Sequence, residues 1–295
     1  MKDYVILVDS CCDLSKEFRN KHNIEYVKML LNWTDEKGQE HENIADLDWE
    51  TLSMKEFYDI IRRGIRFYTS MPSQQDYMDF FEKYLKEGKD VLYIACSSGL
   101  SNSINIARKL VDNEVKEKYP KNKVVIIDSL RAGMALGLII MEAQKLKDEG
   151  KSIEEVAKWV EDNKLKYLEV GIPETLTYLK RAGRVSGPKA FMGNMIGLKP
   201  ILEFDDKGSN IAVEKAIGRR KAYVKMAQMI KEHIEDPENQ EIYLMHADCK
   251  EDDVNAFKEE VLKAVKVKNI IVEPLGPIIG ASSGPGTIIV NYRGK

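Results

Sequence analysis

The stretch "DVLYIACSSGLSNSINIARKLV", residues 90–111, decides the fold. It opens on a short apolar run, Val91 to Cys96, bounded by a charged residue and a pair of serines. After the turn residues Ser97, Ser98 and Gly99, apolar side chains recur at Ile104, Ala107, Leu110 and Val111. That spacing is the signature of an amphipathic helix, and the run before it is the length of a buried strand. Strand, polar turn and helix in direct succession are half of a βαβ unit.

The same succession recurs on both sides. "YVILVDS" (4–10) ends in Asp9 and Ser10. "RFYTS" (66–70) precedes "MPSQQDYMDFFEKYL", where Pro72 and Ser73 suit a helix start and Tyr77, Phe80, Phe81 and Tyr84 keep helical spacing. "KVVIIDS" (123–129) leads into "LRAGMALGLIIMEAQKL", which is apolar on most faces and therefore reads as a buried helix. Apolar strands alternating with helices predict a mostly parallel sheet covered on both faces.

"KSIEEVAKWVEDNK" (151–164) reads as a capped surface helix, and the pattern changes after it. A strand, "LKYLEVGI", is followed by a short helix, "PETLTYLKRAG", opening at Pro173 and closing on Gly183. "LKPILEFDDKGSNIAVEKAIG" reads as a hairpin turning at Asp206–Gly208, and a long helix follows from about Arg220. The expected architecture is therefore two α/β domains. The first covers residues 1–162 around a parallel sheet, and the second covers residues 163–295 around a mixed sheet.

Composition narrows the function. The 295 residues suit two domains, and a net charge of −3 supplies no basic face for nucleic acid. The apolar part of "MKDYVILVDS" is too short for a signal peptide, and no run approaches the ~20 apolar residues of a membrane helix. Cys11, Cys12, Cys96 and Cys249 form no pair with metal-ligand spacing. Free thiols in a reducing cytoplasm, and no metal, are the expectation.

Four of the strand-like runs end in hydroxyls: Ser10, Thr69 and Ser70, Ser97 and Ser98, and Ser129. In open α/β sheets the carboxyl ends of the strands form the ligand crevice, so several hydroxyls converging there make a polar pocket. Each one alone is equally well explained as a helix N-cap. "SSGLSNS" can hold an anion at a helix start, but no GxxxxGK[ST] or GxGxxG motif accompanies it. "GASSG" (280–284) has the letters of a hydrolase nucleophile elbow around Ser282. An elbow needs a helix after the serine and a later acid and histidine. Here "TIIVNY" follows, and all four histidines stand upstream. A tight turn at Gly284, Pro285 and Gly286 is the simpler reading. "GPKAFMGNMIG" (187–197) combines small residues with Phe191, Met192, Met195 and Ile196, which suits plain packing or an apolar ligand.

Six stretches together carry a resemblance to the DegV family: "YTSMPS" (68–73), "SSGLSNS" (97–103), "DSLRAGMALG" (128–137), "LKRAGRVSG" (179–187), "GLKPIL" (197–202) and "GPIIGASSGPGTI" (276–288). In order and spacing the chain resembles the fatty-acid-binding subunits of bacterial fatty acid kinase over essentially its whole length. The resemblance implies a long-chain fatty acid held between the two domains in an apolar tunnel, lined in part by Phe191, Met192, Met195 and Ile196. It implies a carboxyl group held by Thr69, Ser70, Ser97, Ser98 and Ser282, with no cofactor and no catalytic residue. It also implies a separate ATP-dependent kinase subunit, to which the acyl carboxyl is presented and which Arg219 and Arg220 of "GRRK" (218–221) would face. Family members often carry histidine where this chain has Ser282, so a hydrogen bond is kept and a titrating group is lost. Two other readings compete: an acyl hydrolase or transferase using Ser282 or Ser98, and a phosphate- or nucleotide-binding metabolic enzyme.

Overall fold

In the computed structural model, residues 2–186 and 197–295 are described. Phe191, Met192, Met195 and Ile196 lie outside those residues. The first part of the chain supplies strands β1 (Tyr4–Asp9), β2 (Glu25–Val27), β3 (Leu30–Thr34), β4 (Glu40–Ile44), β5 (Phe67–Ser70), β6 (Asp90–Ala95) and β7 (Val124–Asp128). The second part supplies β8 (Tyr167–Ile172), β9 (Leu198–Phe204), β10 (Asn210–Ile217), β11 (Glu241–His246), β12 (Asn269–Pro274) and β13 (Ile288–Arg293).

β2, β1, β6 and β7 form a parallel sheet in that order. Every residue of β6 is buried, as a central strand covered on both faces must be. Helices pack on it where the periodicity puts them. The helix Gln74–Leu85 is capped by Ser73 in a capping box with Asp76 and buries Tyr77, Phe81 and Tyr84. The helix Gly133–Asp148 buries most of its first three turns. The helix Ile153–Asn163 starts at a second capping box, Ser152 with Glu155.

β10, β9, β8, β13, β11 and β12 form a mixed six-stranded sheet. The expected hairpin is β9–β10, and its turn is closed by Gly208 N–H donating to the Asp205 carbonyl. The chain is thus an α/β fold with one parallel and one mixed sheet.

Three readings are corrected. "RFYTS" does not join the parallel sheet. Its strand β5 pairs antiparallel with β3 in a small sheet ordered β4-β3-β5. The reason is its alternation: Phe67 is buried and Tyr68 exposed, which suits a sheet with one wet face rather than one covered twice. The short helix after β8 spans Thr177–Ala182, four residues later than Pro173 suggests, and ends at Gly183 in the left-handed region. Finally, the Gly- and Ser-rich stretch is not a turn throughout: Ser282 lies at the end of a helix, Pro277–Ser283, and the expected bend follows at Gly284 and Gly286, both with positive φ.

Candidate functional site

A cavity lies between the two larger sheets, closed on one side by β5 and by the helix Pro277–Ser283. It encloses about 890 Å³ of empty space, counting its open mouth. Its wall is mainly apolar, with Ile172, Leu202, Phe204, Ile278, Ile279 and Ile289 among the lining residues. These come from β8, β9, β13 and the short helix, so the cavity exists only once the mixed sheet and that helix are assembled.

Polar groups line it as well. Thr69 and Ser70 reach it from the end of β5, and Ser282 and Ser283 from the helix end. Ser70 Oγ accepts from Asn32 Nδ2 at 2.7 Å. Among the described residues, the hydroxyls of Thr69 and Ser282 have no hydrogen-bond partner. Ser283 Oγ and Asn210 Oδ1 are buried and equally unpartnered. Buried polar atoms without partners are uncommon in folded proteins and favour a polar ligand group where they converge.

Beside the cavity runs a cleft lined by Arg66, Tyr178, Arg181 and Arg184. Thr69, Arg184 and Ser282 belong to both the cavity and this cleft. Arg184 is held in place there: its Nε donates to the Leu100 carbonyl at 3.1 Å, and its Nη1 donates to the Ala182 carbonyl.

The other expected head-group residues stand elsewhere. Ser97 is fully buried, and its Oγ donates to the Gly208 carbonyl at 2.7 Å and accepts from Gly99 N–H at 3.1 Å. Ser98 is exposed, with its N–H on Asp128 Oδ1 at 3.1 Å. Neither lines the cavity. Arg219, one of the two expected partner-facing residues, is turned inward. It pairs with Glu174 at 2.6 Å, donates to the Gly286 carbonyl at 2.8 Å and bonds Tyr223 at 2.7 Å. Arg220 is exposed.

Local pattern left several lining residues unread. Arg184, Ser101 and Ser283 fall inside quoted motifs but received no role. Glu169 had a signal: it is an acid in the middle of the apolar run "YLEVGI", and it faces the cavity. Burial pushes its carboxyl up to about 8, with nearby Asp13 adding to the shift and Arg131 opposing it. Burial likewise pushes Asp13 up to about 7. The Gly276 backbone N–H beside that carboxyl opposes the rise. Arg131 is itself buried and braces the start of the mixed sheet, donating to the carbonyls of Tyr167 at 2.5 Å and Leu165 at 2.9 Å.

Comparison with known proteins agrees with this architecture. The family model described as "Uncharacterised protein, DegV family" matches residues 3–294. A DegV domain-containing protein of Clostridium perfringens is 35% identical over 294 residues, covering 100% of this chain and 98% of its own. A DegV family protein from Thermus thermophilus, solved in a study of its fatty acid binding, superposes with a TM-score of 0.85. It is 27% identical, and the match covers 99% of this chain and 100% of that one. A DegV lipid-binding protein from Thermotoga maritima, also 27% identical, superposes with a TM-score of 0.80 over 100% of this chain and 99% of its own. Sequence and fold agree over the full length: the chain belongs to the DegV family.

Proposed function

We propose that this protein binds one long-chain fatty acid in the cavity, with the tail along the apolar wall and the carboxyl group at the mouth. The observation that carries this reading is the shared set Thr69, Arg184 and Ser282, common to the apolar cavity and the basic cleft beside it. A carboxylate at that boundary meets two free hydroxyls and a guanidinium, while its alkyl chain stays out of water. Arginine suits this role because its charge persists and its planar fork matches a carboxylate. The fatty acid binding described for the Thermus thermophilus relative supports the reading.

Energetics favour a carrier. Burying a tail is worth ~0.8 kcal/mol per methylene, whereas each hydroxyl bond adds ~1 kcal/mol. Affinity therefore comes from the tail, and the polar groups fix where the head points. A head group at the mouth is open to a second protein. We infer that a separate kinase using ATP phosphorylates the carboxyl there, with Arg66, Arg181 and Arg184 offsetting the phosphoryl charge. Support for this step is the basic cleft alone. The division at residues 162/163 fits such a carrier, since the parallel sheet uses strands up to Asp128 and the mixed sheet begins at Tyr167.

The acyl hydrolase reading has less behind it. Among the described residues no histidine lines the cavity, and Ser282 is followed by β13 rather than by a helix.

Native mass spectrometry of the purified protein tests the proposal. The expected result is one co-purifying fatty acid per chain, lost on delipidation and restored on adding oleate. A protein that takes up no fatty acid after delipidation would sink the reading. Acyl phosphate formation with a cognate kinase tests the second step separately.

A further inference from the structure

Three sulfur atoms meet on one side of the cavity. Cys11 and Cys96 follow the ends of β1 and β6, neighbouring parallel strands in register from Tyr4↔Asp90 to Leu7↔Tyr93. Cys11 Sγ, Cys96 Sγ and a carboxylate oxygen of Asp9 all lie within 4.8 Å of one another, and all three residues are buried. Met29 Sδ is 3.6 Å from Cys11 Sγ. Cys11, Met29 and Cys96 all line the cavity.

We propose that Cys11 and Cys96, with Met29 and Asp9 beside them, bind one thiophilic divalent ion of the zinc or cadmium class in the cavity wall. Two sulfurs bound at ~2.3 Å to a tetrahedral ion stand roughly 3.8 Å apart, so the spacing of Cys11 and Met29 is already that of co-ligands. Thiolate and thioether donors select soft cations over magnesium or calcium.

Charge decides the valence. Binding exchanges protons for metal: M²⁺ plus two thiols gives a neutral dithiolate and two protons released to solvent. The buried charge is unchanged. A monovalent ion in the same site would leave an extra negative charge in an apolar wall, beside Asp9, at a heavy desolvation cost.

The site is held in shape without metal. Asp9 accepts from Cys11 N–H at 3.0 Å and from Cys96 N–H at 2.8 Å, so one carboxylate fixes both cysteine backbones. Met29 N–H donates to Ser10 Oγ at 3.0 Å, which fixes the third donor. This site does not depend on the lipid reading.

Titration of the reduced, full-length protein with cadmium chloride tests it. The expected result is a sulfur-to-cadmium ultraviolet charge-transfer band that saturates at one ion per chain with release of two protons. Cys11→Ser and Cys96→Ser should each abolish the band, and Cys249→Ser should retain it. Cysteine-to-serine changes in a core can prevent folding, so a second measurement uses the unaltered chain. Bound cadmium should shield Cys11 and Cys96, but not Cys249, from alkylation mapped by peptide mass spectrometry. Absence of the band at stoichiometric cadmium overturns the proposal. So does its loss in Cys249→Ser, or alkylation of Cys11 and Cys96 unchanged by cadmium.

Discussion

Ser97 Oγ donates to the Gly208 carbonyl at 2.7 Å, tying the end of β6 to the β9–β10 turn. Gly208 has φ +74°, and a Cβ there would stand 2.0 Å from Ser97 Oγ. The hydroxyl expected at the head group is therefore spent on joining the parallel sheet to the mixed one. Ser97→Ala is expected to cost about 1–3 kcal/mol, because the Gly208 carbonyl loses its donor. Gly208→Ala should cost more, adding backbone strain to the clash. Urea unfolding of both variants checks this. Full stability in Ser97→Ala together with lost fatty acid binding would return Ser97 to the head group.

Thr69→Val and Ser282→Ala should behave in the opposite way. Each removes one hydroxyl at the cavity mouth, worth about 1 kcal/mol, or roughly fivefold in affinity. Neither hydroxyl has a protein partner among the described residues, so the unfolding midpoint should stay put. Calorimetric titration with a fatty acid separates the two effects. Chain length provides the control. Each added methylene should tighten binding by up to about fourfold until the apolar wall is filled.

Glu169 sets a pH dependence. Its carboxyl is raised from about 4.5 to about 8 in the folded chain, chiefly by burial. The folded state thus holds a proton that the unfolded chain has already released. The stability linked to this proton is fully present below about pH 4.5 and is lost as pH rises through about 8. Glu169→Gln should flatten that decline. Thermal melts from pH 5 to pH 9 test it, and parallel curves for the two proteins would refute the assignment.

Tyr58 and Gly280 are packed at the limit. Tyr58 Oη is buried without a partner, and a Cβ on Gly280 would lie 2.3 Å from it. Gly280→Ala should destabilise by about 1–3 kcal/mol by forcing the helix that carries Ser282 away from Tyr58. Tyr58→Phe should be neutral or stabilising, since it removes an unsatisfied hydroxyl. Combining the two should recover part of the loss. Additive effects in the double variant would show that the clash is not what matters.

Local chemistry made much of the fold legible in the sequence. The caps at Ser73 and Ser152, the hairpin around Gly208 and the strand–turn–helix succession at 90–111 depend on residues a few positions apart. Periodicity and capping report such short-range energies directly. Strand β5 shows where that stops. "RFYTS" reads correctly as a strand, but its partner is β3, paired in a register from Leu30↔Ser70 to Trp33↔Phe67 that no local pattern specifies.

The site divides along the same line. Sequence alone determined that the chain folds as α/β and, through its motifs, which family it joins. It also supplied hydroxyls at the strand ends. Only the tertiary structure decided which of those hydroxyls remain free. Thr69 and Ser282 face the cavity, whereas Ser97 is bonded to a residue 111 positions away. The same holds for Cys11, Met29 and Cys96, which have no metal-ligand spacing along the chain and meet because β1 pairs with β2 on one side and β6 on the other. Pairing between distant strands is selected by burial summed over the whole chain. A local pattern fixes which face of each strand is apolar, and the assembled core fixes which strands lie side by side.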